Sequence, residues 1–344
     1  MMKKKLLALI LGFAMLFACA GCSGSSNPGG AAGEATAENP ITIKVAFDLS
    51  TTHPWYAASE KFKEIVESES NGTMKVDIFA NGSLAGSSRE VQESVQIGSI
   101  ECGLSSSSMD LLNPYQQIIG LPYLFEDVET VYEVLDGPIG QQIASHVEGE
   151  GIKILSFWED GMRQITNNVR PINTPADLAG VKLRIPDSTV RLDTFNALGA
   201  SPVVMGASEV FSALETGTID GQENAVSVVK SSSYYECQKY LSMTNHVYGA
   251  ASFIINLDLW NSLTEEQQNI LQKAADAGRD LNRQINMEND AAIVVELQEK
   301  GMEINEIADI EPFREACAPV YEKVLAELGD EGQQIYTDIL NLQK

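Results

Sequence analysis

Histidine, cysteine and basic side chains are the scarce residues of this 344-residue chain, and each scarcity closes off a class of function. The three histidines, His53, His146 and His246, lie far apart and outside any HExxH or Cys/His grouping, which argues against a zinc site. No GxSxG run and no His-carboxylate cluster supplies a nucleophile, so an enzyme is not expected, and neither is a cofactor. Of the five cysteines, Cys19 and Cys22 fall in the N-terminal segment. The remaining Cys102, Cys237 and Cys317 are odd in number and lack CxxC spacing; they read as small buried apolar residues, with one disulfide an option and none required. Lysine and arginine total 23 against 48 acidic residues, a formal charge of −25, and such a surface repels nucleic acid and anionic headgroups. Nucleic-acid partners are set aside.

What is present begins with a compartment signal. "MMKKK" followed by "LLALILGFAMLFACAGC" is a positive stub, an apolar run and small residues, the order of a secretory signal peptide over residues 1–22. The apolar run is short and interrupted by glycine, which weakens a transmembrane reading. Ala20-Gly21-Cys22 resembles a bacterial lipobox, making Cys22 the lipidated mature N-terminus. Cys19 is a rival, but Phe17 suits a cleavage site poorly. Residues 23–40 hold no apolar side chain larger than alanine apart from the proline pair, Pro28 and Pro40, and read as a flexible tether. The expected product is an extracytoplasmic, lipid-anchored body of about 300 residues, long enough for two domains.

Within that body strand and helix alternate. Ile41, Ile43, Val45 and Phe47 recur at period two; Phe62, Ile65 and Val66 follow at helical spacing behind Pro54; "GTMKVDIF" alternates again. This is a βαβ unit, hence an α/β class with parallel strands. "GIKILSFW" and "GVKLRIP" read as further strands, and "STVRLDTFNALG" as a helix closed by Gly199. The stretch "EVQESVQIGSIECGLS" (90–105) echoes "EVFSALETGTIDGQEN" (209–224): each has Glu-Val, a glycine eight residues after the Glu, then Ser/Thr, Ile and an acid. Two similar halves follow, each a helix ending at Gly98 or Gly217 and a strand opening at Ile100 or Ile219. Ser105 and Asn224 then stand at matching strand ends, where ligands of open α/β sheets bind.

Two arginines stand out. In "GVKLRIP" the alternation of Val181, Leu183 and Ile185 puts Arg184 on the opposite strand face, where it needs an anion: either a structural partner such as Asp187 or Glu223, or a ligand. Arg163, in "WEDGMRQITNN", reads as lying just past a strand end, in a loop.

"GLPYLF", "WEDGMRQITNNVRPINTPADLAGVKLRIP", "ALGASPVVMGASEVFSALETGTIDGQEN" and "YYECQKYLSMTNHVY" together resemble, in order and spacing, the solute-binding proteins of tripartite ATP-independent periplasmic (TRAP) transporters. The resemblance runs from about Ile41 to the C-terminus. It implies a two-lobed periplasmic-binding-protein-like fold, each lobe a sheet flanked by helices, with a long C-terminal helix spanning both. It assigns Arg184 to a solute carboxylate, Asn224 to the amide beside it, Arg163 to a second contact, and Asp48, Ser88 and Ser105 to the rest of the solute. Sialic-acid binders of this family carry a glutamate where this chain has Ser105 and an aromatic where it has Ala207, which argues against sialic acid. A sugar acid and a four-carbon dicarboxylate both remain. Asp220 and Glu223 are expected to pair within their loop and orient the arginine.

"LTEEQQNILQKAADAGRDLNRQINMENDAAIVVELQEKG" opens with Thr264 and Gln267 as a capping box and stays helical in composition to Gly301. It reads as one long helix, or as two broken near Gly278. With chain crossings near Asp160 and Gly249, lobe I takes residues 41–160 and about 250–289, and lobe II takes 161–249 and about 290–344. The expected partners are a small organic-acid solute, the TRAP permease subunits and, through the lipid, the membrane, with the protein itself a monomer. A binding lipoprotein of an ABC importer or sensor system is the alternative, ahead of a lipid-anchored enzyme.

Overall fold

A computed structural model describes residues 36–343. The expected signal peptide, Cys22 and most of the expected tether lie outside the described residues. Within them the chain opens with β1 (Ile41–Ala46), α1 (Pro54–Glu69), β2 (Met74–Phe79), α2 (Ser88–Gln96) and β3 (Cys102–Ser105). The short helices α3 (Gln116–Ile119), α4 (Val128–Asp136) and α5 (Pro138–Ser145) lead to a long strand, β4 (Ile152–Asn167). A second set follows: β5 (Lys182–Ile185), α6 (Thr189–Ala197), β6 (Ser201–Val204), α7 (Ala207–Glu215), β7 (Gly221–Ala225), α8 (Val226–Ser231) and a second long strand, β8 (Tyr240–Asn256). The chain finishes with α9 (Leu257–Ser262), α10 (Glu265–Glu299), β9 (Glu303–Glu306) and α11 (Glu311–Leu342).

Local chemistry explains the first unit. His53 caps α1, its Nδ1 accepting from the Trp55 amide at 3.3 Å, and Pro54 sits in the first turn, where its missing N–H costs nothing. Trp55, Ala58, Phe62 and Val66, three or four apart, form the buried stripe. β1 lies parallel to β2 with Ile41 opposite Met74.

The echo between the halves is structural. Gly98 and Gly217 both adopt left-handed φ, 71° and 69°, and the strands begin four residues later, at Cys102 and Gly221. A left-handed residue past a helix end favours glycine, which has no Cβ to clash.

All the strands belong to one sheet, ordered β2-β1-β3-β8-β4-β7-β5-β6, with β9 on the far end of β8. β4 and β8 run antiparallel over nearly their whole length and join the two halves. The first half attaches where β3 pairs with Ser252–Ile255 of β8, and the second where β7 pairs with Arg163–Asn167 of β4. The β4/β8 ladder is irregular, with register shifts at Ile154/Ser156, Glu159/Gly161 and Arg163/Ile165, of which the middle one falls between the two attachments. Gly161 there has φ 115°, and a Cβ on Gly249 would stand 2.8 Å from that of Asp160.

α10 is one uninterrupted helix of 35 residues, about 50 Å at ~1.5 Å per residue. The capping box at Thr264 and Gln267 is formed. Gly278 does not break the helix; it lets α10 lie against Trp158, since a Cβ would come within 2.4 Å of the indole ring. The near end of α10 packs Leu271, Ala274 and Ala275 in the same core as Phe62 of α1, and the far end adds Ile293 and Leu297 to the part formed by Val226 and Val229 of α8. α11, assigned whole to the second lobe from sequence, divides: Phe313 and Cys317 join Leu183 and Phe195, while Val320, Val324, Ile335 and Ile339 join the core of α4 and α5.

The cysteines Cys102, Cys237 and Cys317 are free thiols, the first and last buried. Among the described residues no helix is long and apolar enough to cross a membrane, and no cluster could hold a metal ion.

Candidate functional site

A cleft opens between the two halves at the carboxyl ends of the parallel strands. Its outer part, about 330 Å³, is lined from the first half by Asp48, Ser88 and Ser108 and from the second by Arg184, Met205 and Ala207. Its inner end, about 40 Å³, adds Trp55, Ser106, Asp160, Arg163, Asn224 and Tyr234. Six residues singled out in the sequence, Asp48, Ser88, Arg163, Arg184, Ala207 and Asn224, therefore share one cleft.

Ser105 does not reach it. As the last residue of β3 it is fully buried, and its hydroxyl accepts from Gln92 at 2.8 Å. The next residues, Ser106 and Ser107, line the inner end instead, with Ser106 donating to Asp160 at 2.9 Å. Asp160, Trp55 and Tyr234 escaped notice as wall residues. The run of four serines from Ser105 to Ser108 was the available signal.

Of the two arginines, only Arg184 keeps the setting that the sequence suggested, a buried place on a strand. Arg163 lies inside β4, opposite Ala225 on one side and Val247 on the other, and is 2% exposed; it is no loop residue. Its charge is answered internally. Nε and Nη2 fork onto Glu223 at 2.6 and 2.8 Å, Nη2 also reaches the Glu223 carbonyl, and Nη1 meets Asp160 at 3.0 Å. Glu223 also accepts from His246 Nε2 at 3.0 Å, while Thr244 lies 2.9 Å from Nδ1, so a neutral imidazole protonated on Nε2 satisfies both contacts. Burial alone would raise the Glu223 carboxyl; the Arg163 guanidinium and the His246 contact outweigh it and hold the group well below the usual carboxylate range. Burial pushes His246 down and Asp160 up to about 6, the latter against the pull of Arg163.

Arg184 is 4% exposed and has no carboxylate in salt-bridge contact among the described residues. The acids considered as its structural partners are occupied elsewhere: Asp187 by Arg89 at 2.6 Å and Glu223 by Arg163. Nε and Nη2 of Arg184 both donate to one acceptor, the Met205 carbonyl, at 2.9 and 2.7 Å. A guanidinium has five N–H donors, so three face no protein acceptor among the described residues. Burial lowers its pKa, yet an arginine keeps its proton at neutral pH. The strand pattern causes this placement: Leu183 and Ile185 fill the core beside Phe195, which turns Arg184 to the other face. Asn224 stands nearby on β7, its amide donating to Gln222 at 2.7 Å.

The remaining wall is acidic and hydroxylic. Ser88 donates to Asp48 at 3.4 Å, and burial raises the Asp48 carboxyl while Arg184 lowers it. Asp220 takes no part; its carboxylate accepts from the Lys182 amide at 2.8 Å and ties β7 to β5. The cleft thus combines one buried cation with open donors and a set of acceptors suited to hydroxyl groups.

Residues 46–328 match the family of bacterial extracellular solute-binding proteins, family 7 (DctP). The chain is 32% identical over 276 residues to the 2,3-diketo-L-gulonate-binding periplasmic protein of Escherichia coli K12, covering 80% of this chain and 84% of that one. It is 31% identical over 299 residues to the C4-dicarboxylate-binding periplasmic protein of Rhodobacter capsulatus, covering 85% and 89%. Its fold is similar to the crystal structure of the sugar acid binding protein of Advenella mimigardefordensis in complex with galactonate, with a TM-score of 0.84, 32% identity and coverage of 88% and 99%. This chain belongs to the DctP family of extracytoplasmic TRAP solute-binding proteins, which are binding proteins and not enzymes.

Proposed function

We propose that the cleft captures a polyhydroxy monocarboxylic acid, a sugar acid, by a clamp of Arg184 on its carboxylate, and that the protein hands this solute to a TRAP membrane permease. The observation that carries the reading is the buried Arg184 guanidinium with three open donors and no carboxylate partner. A planar fork of this kind matches a carboxylate in two parallel bonds, which are stronger in a water-poor cleft. A sugar acid is favoured over a four-carbon dicarboxylate because the far wall offers Asp48, Asp160 and serine hydroxyls. Those groups welcome hydroxyl donors, whereas a second carboxylate would face like charge. Asn224, Arg163, Ser88 and Ala207 complete the wall, and Ser106 and Ser107 take the place expected of Ser105. A thermal-shift screen against galactonate, L-gulonate, glucuronate, succinate and malate tests the assignment. A sugar acid at 100 times its dissociation constant should add ~2.7 kcal/mol of stability. Stabilisation by succinate or malate alone would reverse the assignment.

The lobes in this reading are residues 41–160 with about 250–289, and 161–249 with about 290–318, the rest of α11 lying on α4 and α5 of the first lobe. They close over the solute by bending β4 and β8 near Gly161 and Gly249, where the ladder is irregular. Cys22 carries the lipid, supported by the Ala20-Gly21-Cys22 sequence. Cys22→Ala should release the protein from the membrane fraction. Retention there, with release by Cys19→Ala, would move the anchor to Cys19.

A further inference from the structure

A second set of buried contacts joins the halves away from the cleft. Asp110, in the 3-10 turn after β3, is buried; its Oδ2 accepts from Ser188 Oγ at 2.7 Å and from the Val190 amide at 3.2 Å. Ser188 is the N-cap of α6, so the carboxylate sits at the positive end of that helix. One residue further on, Arg191 is buried and its Nη1 donates to the Gly120 carbonyl at 2.8 Å. Asp110 Oδ1 and Arg191 Nε have no hydrogen-bond partner among the described residues. With Ser106, Ser107, Gly120 and Ser188, these two residues line a cavity of about 30 Å³, room for two or three waters on a measure of ~10 to 15 Å³ each. Asp110, Gly120, Ser188 and Arg191 do not line the solute cleft, from which Ser106 and Ser107 separate them.

Resting on the two-lobed reading above, we propose that Asp110 is the clasp of the closed state: a positioning residue that holds α6 of the second lobe against the first, and so sets how long the solute stays, without touching it. Asp110 and Gly120 fall in the first lobe, and Ser188, Val190 and Arg191 in the second. All three bonds therefore cross the seam and are lost when the lobes part. The rim offers a rival bridge, Arg89 to Asp187 at 2.6 Å, but both side chains are exposed, and exposed pairs contribute little. The Asp110 contacts are buried and anchored at a helix N-terminus, so they outweigh the rim pair. Water in the small cavity supplies partners for Asp110 Oδ1 and Arg191 Nε, which would otherwise oppose closure.

Because solute enters the open form, losing the clasp should speed release and spare capture. Stopped-flow tryptophan fluorescence on the full mature chain with galactonate reads both rates, Trp55 in the cleft wall being the reporter. Asp110→Ala is expected to release galactonate about ten-fold faster or more, with association changed less than about two-fold. Asp110→Asn, which keeps an acceptor oxygen for the Val190 amide, should fall between. A lowered apo melting temperature with an unchanged release rate in both folded variants would overturn the clasp and leave Asp110 a structural residue. If the wild type binds no acid in the screen, it is the substrate assignment that fails. The clasp is then decided by small-angle scattering of the chain alone: a larger radius of gyration for Asp110→Ala supports it, and an equal radius overturns it.

Discussion

Arg184→Lys is expected to weaken sugar-acid binding by ~2 to 4 kcal/mol, the range for truncated buried charge pairs, which is about 30- to 1,000-fold. Lysine keeps the charge and removes the fork, so the loss isolates bidentate recognition from simple attraction. The apo protein responds differently. Arg184 is a buried cation without a carboxylate partner, and its two bonds go to a single carbonyl. Removing a buried charge that no carboxylate contacts, and that Asp48 offsets only in part, relieves a desolvation cost. Arg184→Met, which retains the apolar stem, should therefore melt at or above the wild-type temperature while binding is lost. Calorimetric titration with the best acid of the screen, beside apo melting curves of both variants, supplies the two numbers. Near-native affinity in folded Arg184→Met would remove the carboxylate clamp and the sugar-acid reading with it.

How far the sequence reached depends on where its signals are local. α1, β1 and α10 were legible because an apolar stripe at a fixed period is written in the residues themselves. The continuation of β4 from Glu159 to Asn167 was not. Its buried residues include Glu159, Asp160, Arg163, Gln164 and Asn167, so hydropathy reports a loop where charges and amides satisfy one another inside a sheet. Hydropathy alone also misses β7, a buried strand reading Gly-Gln-Glu-Asn-Ala, which was legible only through its echo of residues 90–105. The echo between the halves located the right strand ends, yet Ser105 turns inward to Gln92 and the wall begins one residue later. That one-residue difference follows from the pleat, which sends neighbours to opposite faces. Whether Arg184 was paired could not be read locally, because the answer rests on Arg89 taking Asp187 and Arg163 taking Glu223, contacts 98 and 60 residues apart.

Arg163 and Glu223 give the opposite expectation to Arg184, and the contrast separates a structural arginine from a binding one in the same cleft. Glu223→Gln keeps the shape of the side chain and removes its charge, leaving Arg163 with only Asp160 in a site that is 2% exposed. Breaking a buried ion pair from one side typically costs ~3 to 5 kcal/mol, because the remaining charge stays desolvated. Urea unfolding of the apo protein should show that loss as a lower midpoint at unchanged slope. The dependence on pH has a definite sign. The Glu223 carboxyl is held well below the usual carboxylate range in the folded protein, so its contribution is complete above the unfolded value and disappears as pH falls through the folded one. The part of the difference between wild type and Glu223→Gln that comes from the Glu223 charge should therefore persist from neutral pH down to about 5, shrink below ~4.3, the unfolded value, and close only in stronger acid, while Asp160, at about 6, titrates above that window and adds its own change. Burial holds the His246 imidazole below its ordinary value, against the pull of the Glu223 carboxylate. A loss under ~1 kcal/mol at neutral pH would mean that the pair hardly exceeds its own desolvation, as for an exposed ion pair. Arg163 would then be free to leave Glu223 for a solute carboxylate, and the division of roles between the two arginines would have to be redrawn.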